Sequence, residues 1–414
     1  MIRDTTKAIG LLVGVSVAVM AGVTAQAQEL KFWLRTPHPG EEAAVNQIAK
    51  EFTEANPGVT IKIESRSIDE HKSALRVAAV SSEGPDFYYN WAGLGLGGEY
   101  VKAGLSEPLE RYYDQYKWRD RLLPLAVSYA DLYPGVHGVP YQIRNEALFY
   151  NKSLFKKAGV EKLPTTYNEL LDAAEKLKKV GVPAITFGGS VNWHVMRLMD
   201  VLLETKCGAQ THDDLKAMKL SWAETACATE SFKELHKWAT QYFLRPFMGY
   251  DNKQSLNHFI AGRAAMMLEG NWLGDQISHS GKDLENFGFF PFPTETGRMY
   301  GFGTLLYMSA HSKHKDLVAK FYDYFLSDAV QQEHLTAMGG VSISKNVKQK
   351  NPNSIDAKWI EILPEYKSVF VNGDQAFPLA VTTEYFRIIN AVASDDLDPS
   401  KAGADMQKFI DQNG

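Results

Sequence analysis

The chain has 414 residues, 45% of them hydrophobic, with 44 basic and 49 acidic side chains and a formal net charge of −5. That weak acidic balance argues against nucleic acid or an anionic membrane as a partner. The length exceeds what one ordinary core accommodates, so about two lobes are expected.

Arg3 and Lys7 precede an apolar run over 9–23, and Ala25-Gln26-Ala27 has the small-x-small form of a cleavage site. This combination predicts a secretory signal peptide over 1–27, a mature chain starting near Gln28 and a periplasmic location. Its removal takes away Arg3, Lys7 and Asp4, leaving 42 basic against 48 acidic side chains. No later stretch approaches the ~18 apolar residues of a spanning helix. The two cysteines, Cys207 and Cys227, offer one bridge in an exported chain and suggest no metal or catalytic role.

A short strand at 31–34 leads through the loop 35–40 into an amphipathic helix over 41–56. That helix places Ala44, Val45, Ile48 and Phe52 on one face and is stopped by Asn56-Pro57-Gly58. Residues 59–64 (VTIKIE) alternate as a second strand, 68–81 form a helix, and Gly84-Pro85 introduces a third strand at 86–90. Strands alternating with helices at this spacing predict βαβ units and a mostly parallel sheet. Ligands of such sheets sit beyond the carboxyl ends of the strands. Attention therefore falls on Arg35, Thr36 and His38 after strand one, Arg66 after strand two, and Trp91 after strand three.

A second β/α series follows. It comprises a segment at 147–150, a helix at 167–180, a strand at 184–187, a helix at 228–243, an apolar run around Met266 and a segment at 287–292. Passages rich in Pro and Gly at 134–140 and 292–303 read as crossings between the lobes. Residues from about 346 onward read as helices with polar linkers.

Several motifs now fall in a telling order: KFWLRTPH, EFTEANPGVTIKIE, GPDFYYNWAGLGLGGEYVKAGLSEPL, GVPYQIRNEALFYNKSLFKKAG, LPTTYNELLDAAEKLK, AMMLEGNW, GFGTLLYMSAHSKHKDLVAKFYDYFLS and GGVSISKN. Over about 29–410 the chain resembles extracellular solute-binding proteins of the sugar-binding type, the maltose-binding-protein-like periplasmic receptors of ABC importers. The resemblance implies an α/β, two-lobe periplasmic binding protein fold, each lobe a mostly parallel sheet flanked by helices, joined by crossing hinge strands. On that plan 28–140 and 301–345 belong to lobe 1, and 141–300 and 346–414 to lobe 2. It also implies a monomer that needs no cofactor or metal, is not an enzyme, closes on a sugar or glycoside, and presents its closed form to the transmembrane permease.

Sugar recognition needs aromatic rings against the apolar faces of the pyranose and polar partners for its hydroxyls. A buried hydroxyl left unpaired costs about 1–3 kcal/mol. The resemblance puts Trp91 and Trp272 at ligand-facing positions, and Trp193, with Asn192 and His194, where the family carries cleft residues. Glu269, beside Trp272, offers an acceptor; its alternative is a helix cap or hinge carboxylate. Arg66 and Arg144 offer donors, against the alternative of solvated arginines. The turn Gly301-Phe302-Gly303 at the second crossing offers backbone amides because glycine permits close approach, or serves as a hinge. Tyr385 aligns with a further aromatic of the family cleft.

Other signals are weaker. Gly93-Leu-Gly95-Leu-Gly97-Gly98 fits a dinucleotide fingerprint but lacks the ribose-binding acid at the required spacing. His311 and His314 have no third metal ligand nearby in sequence. Tyr88 and Tyr89 alternate in a strand and face opposite ways. A secreted glycoside hydrolase would need two carboxylates about 5–10 Å apart, for which Glu269 and Asp86 are candidates. The first expectation for the ligand is a neutral mono- or oligosaccharide. The basic set Arg35, His38, Arg66 and Arg144 keeps an acidic or sulfonated sugar, or a glycerol phosphate, as an alternative.

Overall fold

A computed structural model describes residue 1 and residues 28–413, except positions 82, 339, 340, 351 and 367. The signal segment and the two glycines that open GGVSISKN lie outside the described residues. Among the described residues no helix is long and apolar enough to cross a membrane.

Eight strands join in one hydrogen-bonded sheet: β1 (Gln28–Arg35), β2 (Val59–Arg66), β3 (Phe87–Trp91), β4 (Val139–Asn151), β5 (Met266–Gly270), β6 (Phe287–Phe290), β7 (Arg298–Met308) and β8 (Ser368–Phe370). Their order is β2-β1-β3-β7-β4-β5, with β6 also on β4 and β8 on β7. The β1–β2 and β1–β3 pairs are parallel, because helices Pro39–Ala55 and Ile68–Val80 carry the chain back to the start of the next strand. The two crossing strands behave differently. β4 runs out and β7 runs back, so each is antiparallel to the other, and β3 pairs antiparallel with β7.

The expected strand at 184–187 is reduced to a single bridge residue. Ile185 bridges Phe243 and Met266, and Thr186 donates to the Met266 carbonyl. Pro183 and the Gly188-Gly189 pair confine the extended stretch to too few residues for a ladder.

Buried side chains separate into clusters that meet along β4 and β7. One holds Leu30, Phe32, Phe87, Tyr141, Ile143, Leu305, Tyr307 and Phe321. A second holds Leu148, Leu198, Trp222, Trp238, Met266, Tyr300 and Tyr385, and a third packs Phe149, Phe289 and Trp359. Midway along β4 the hydrophobic pattern breaks at Arg144-Asn145-Glu146, all nearly sealed from solvent. Opposite them on β7 lie Tyr300, Gly301 and Phe302. A strand buried on both faces ordinarily reads as a continuous apolar run. Three polar residues in its middle mark a seam between cores.

Cys207 and Cys227 form a disulfide with Cα atoms 5.2 Å apart, tying helix Asn192–Lys216 to helix Ala226–Gln241.

Candidate functional site

The seam opens into a cavity of about 740 Å³. Its first wall carries the last residue of β1 (Arg35) with the loop after it (Thr36, His38), the last residue of β3 (Trp91) and Lys72. Arg144 and Phe302 form its floor on the crossing strands. The facing wall carries Trp193, Arg197, Glu269, Trp272 and residues 372–375.

Sequence explains the Trp272 geometry. β5 ends in Glu269-Gly270, and a Cβ added to Gly270 would sit 1.9 Å from the Trp272 ring. Only glycine lets the indole fold back over the strand end. The ring lies 5.8 Å from Phe302, centroid to centroid, and its Nε1 donates to Glu269 Oε1 at 3.3 Å. The guanidinium carbons of Arg144 and Arg197 lie 5.5 Å and 5.6 Å from the Trp272 centroid, within cation–π range. Arg197 also lies 4.8 Å from the Trp193 centroid. These two residues are one turn apart on helix Asn192–Lys216 and therefore share a face.

Arg197 pairs with Glu269 and approaches Glu146 at 2.8 Å, the latter as an ion pair off the axis of a hydrogen bond. Burial pushes the Glu146 carboxyl up to about 7, and Arg197 opposes the shift only in part. Across the floor, Arg35 Nη2 donates to both Glu41 oxygens at 3.0 Å and 2.7 Å, and Tyr141 adds a third bond at 2.9 Å. Burial alone would raise the Glu41 pKa, but Arg35, with Arg144 and His38, brings it down to about 2. His38 is lowered to about 4 by burial and then by the Arg35 charge, so it is neutral at neutral pH. Its Nδ1 lies 3.1 Å from Gln276 Nε2 and accepts that amide, which leaves the ring proton on Nε2.

Arg144 stands apart from the other arginines. Its Nη2 donates to Gln142 Oε1, while Nη1 is buried with no hydrogen-bond partner among the described residues. Asn372 Oδ1, Asp374 Oδ1 and Gln375 Oε1 are likewise shielded without partners. The structure thus brings Thr36, His38, Trp91, Arg144, Trp193, Glu269, Trp272 and Phe302 to one cavity.

The remaining residues singled out in the sequence lie elsewhere. Arg66 stacks 4.2 Å over Trp33 and pairs with Glu64, because β2 is the outer strand of the sheet. Asn192 is exposed at the start of its helix. His194 points into the core, where its Nδ1 accepts the Gly188 amide at 2.9 Å. Gly301 and Gly303 occupy no turn. They lie inside β7, where a Cβ on Gly301 would meet the Arg144 carbonyl and one on Gly303 the Tyr129 ring. Tyr385 is buried one layer behind the cavity and donates to Asp200 at 3.0 Å.

Asp200 also accepts from the Gly373 amide at 2.7 Å and from Tyr300, so Tyr385 supports the 372–375 segment from behind. That segment was missed in the sequence because Asn-Gly-Asp-Gln reads as a polar linker. Arg197, by contrast, carried a signal in its four-residue spacing from Trp193.

Asp86 and Glu269 do not form a hydrolytic pair. Asp86 sits before β3, at the end opposite Trp91, and accepts from the Lys31 amide and from Ser312. The fingerprint-like glycine loop likewise holds no phosphate cradle. A Cβ on Gly95 would lie 2.1 Å from the Phe377 carbonyl, so the loop receives backbone from the second core.

A family model described as bacterial extracellular solute-binding protein matches residues 36–332. The chain belongs to that family. Members are receptors of ABC importers, and this solute-binding protein shares their two-lobe α/β fold. It is 23% identical over 389 residues to a multiple sugar-binding protein of Streptococcus mutans (serotype c, strain ATCC 700610 / UA159), covering 83% of this chain and 84% of that one. A Brucella abortus (strain 2308) protein, named as a candidate binding protein, is 25% identical over 319 residues, 76% of each chain. Among solved structures, a chitin oligosaccharide binding protein superposes with a TM-score of 0.85 at 21% identity, covering 93% of this chain and 98% of the other.

Proposed function

We propose that this chain is a periplasmic, monomeric sugar receptor of an ABC importer, holding a mono- or oligosaccharide between its lobes. One observation carries the reading. Three tryptophans, Trp91, Trp193 and Trp272, line a single interlobe cavity whose other walls hold unpartnered polar atoms. Indole planes match the apolar faces of pyranose rings, and the free acceptors on 372–375 match hydroxyl donors. A cavity of about 740 Å³ is of the size that small-molecule sites take. The sugar-binding relative and the oligosaccharide-binding neighbour support the ligand class.

The role is capture rather than catalysis. Glu269 is held by Arg197 and by the Trp272 indole, and Glu146, although its carboxyl is raised to about 7, does not line the cavity. Ligand shifts the population toward a closed form by its greater affinity for that form, and the closed pair of lobes is what the permease meets. Residues 28–140 with 301–345 form the first lobe on this reading, and 141–300 with 346–414 the second.

Thermal-shift and calorimetric screens over malto-, xylo-, galacto- and chito-oligosaccharides test the proposal. At least one saccharide should raise the unfolding midpoint in wild type and not in Trp272→Ala. Absence of any saccharide binding would overturn the reading.

A further inference from the structure

We propose that the saccharide this receptor takes is acidic, a uronic-acid-bearing sugar whose carboxylate rests on Arg144. The inference rests on the sugar-receptor reading above and narrows it to one substrate class.

Arg144 lies at the centre of β4, 3% exposed, with its guanidinium in the cavity wall and Nη1 without a hydrogen-bond partner among the described residues. The other two buried arginines of the cavity are neutralised in place. Arg35 is forked onto Glu41, and Arg197 is flanked by Glu146 and Glu269. Glu41 accepts from Arg35, Tyr141 and Gln142, and Arg144 donates to none of its oxygens. Glu41 is near enough to feel its charge, but a buried guanidinium hydrogen-bonded to no carboxylate is costly, and its natural complement is a planar anion with two acceptor oxygens. His38, neutral and carrying its proton on Nε2, adds a second donor on the same side of the cavity.

The segment 372–375 lines the same cavity. Asn372, Asp374 and Gln375 present acceptor oxygens without partners, which suit hydroxyl donors and repel a carboxylate. One orientation satisfies both walls, with the carboxylate toward Arg144 and the hydroxyl edge toward 372–375. A neutral sugar offers Arg144 only hydroxyl or ring oxygens, weaker partners for a guanidinium than a carboxylate.

Isothermal titration of the mature chain tests this with digalacturonate and a glucuronosyl xylo-oligosaccharide. Each is compared with its neutral counterpart, galactobiose and the unsubstituted xylo-oligosaccharide, and with sn-glycerol 3-phosphate. One acidic saccharide should bind at least tenfold tighter than its neutral counterpart. Arg144→Gln should erase that preference and Arg144→Lys should retain part of it. Ligand-free Arg144→Gln should keep the wild-type far-ultraviolet circular dichroism spectrum and a cooperative unfolding transition, and this shows that any lost affinity is not lost folding.

Neutral sugars binding as tightly as acidic ones overturn the proposal and leave the receptor reading standing. Equal preference in wild type and Arg144→Gln does the same. Binding of glycerol phosphate with no saccharide, or of nothing in the panel, overturns both.

Discussion

The backbone amide of Leu94 donates to the carbonyl of Gln375 at 2.6 Å, joining the glycine loop after β3 to the polar segment that faces the cavity. Leu94 follows a strand of the first core, whereas Gln375 sits between Phe370 and Phe377 of the second. The contact exists because Gly93 and Gly95 carry no Cβ. One added at Gly95 would lie 2.1 Å from a main-chain oxygen, which cannot rotate away. Gly95→Ala should therefore hold the lobes apart. Small-angle scattering should show a larger radius of gyration than wild type. Saccharide affinity should fall about tenfold or more, as the binding-competent fraction shrinks. An unchanged radius would show that the loop does not govern closure.

Gly270 sets the attitude of Trp272. Gly270→Ala should push the indole off the shelf and weaken binding about as much as Trp272→Ala. That is a loss of roughly 1–3 kcal/mol, the worth of one large aromatic contact. Both variants should keep the wild-type far-ultraviolet circular dichroism spectrum. Normal affinity in Gly270→Ala would show that the ring has another seat.

Two pH limbs of opposite sign are expected. Glu146, raised to about 7 in the fold, titrates near 4.5 in the unfolded chain. Between those values the folded state binds more protons, so this group's contribution falls as pH rises from 4.5 to 7. Glu41 and His38 act oppositely. The Glu41 contribution is complete above 4.5 and is lost as pH falls toward 2, and that of neutral His38 is lost between 6.5 and about 4. Because His38 opposes Glu146 over part of this range, the two are separated by difference: the urea midpoint of wild type relative to Glu146→Gln should fall as pH rises from 4.5 to 7 and level off above it. A parallel profile in both proteins would remove Glu146 from the account.

The Cys207–Cys227 bridge closes a loop of 20 residues between two helices of the second core. Loop closure of that size contributes on the order of 3 kcal/mol through the unfolded chain. The double variant Cys207→Ser/Cys227→Ser should lose about that much in denaturant titrations, while ligand affinity measured below the transition stays unchanged.

Sequence by itself determined the parts of this protein that depend on near neighbours. Period and punctuation placed β1, helix Pro39–Ala55, β2 and helix Ile68–Val80 to within a few residues, since side-chain alternation and stop signals such as Asn56-Pro57-Gly58 act locally. The strand-end rule found Thr36, His38 and Trp91, because a parallel βαβ unit fixes where its loops emerge. The resemblance added Trp193 and Trp272.

Tertiary structure decided the rest. Arg66 and Thr36 both stand at strand ends, yet Thr36 lines the cavity while Arg66 is drawn to Trp33 and Glu64 on the outer strand, and strand order is a long-range property. Tyr385 was turned inward by Asp200, 185 positions away, and His194 by burial against the core with the nearby Gly188 amide as its partner. Residues 372–375 reach the cavity through Asp200 and the glycine loop, contacts spanning 173 positions in one case and more than 270 in the other. Above all, the sequence shows arginines only as a basic set. Which of them is paired with a carboxylate, and which is not, depends on where Glu41, Glu146 and Glu269 come to lie.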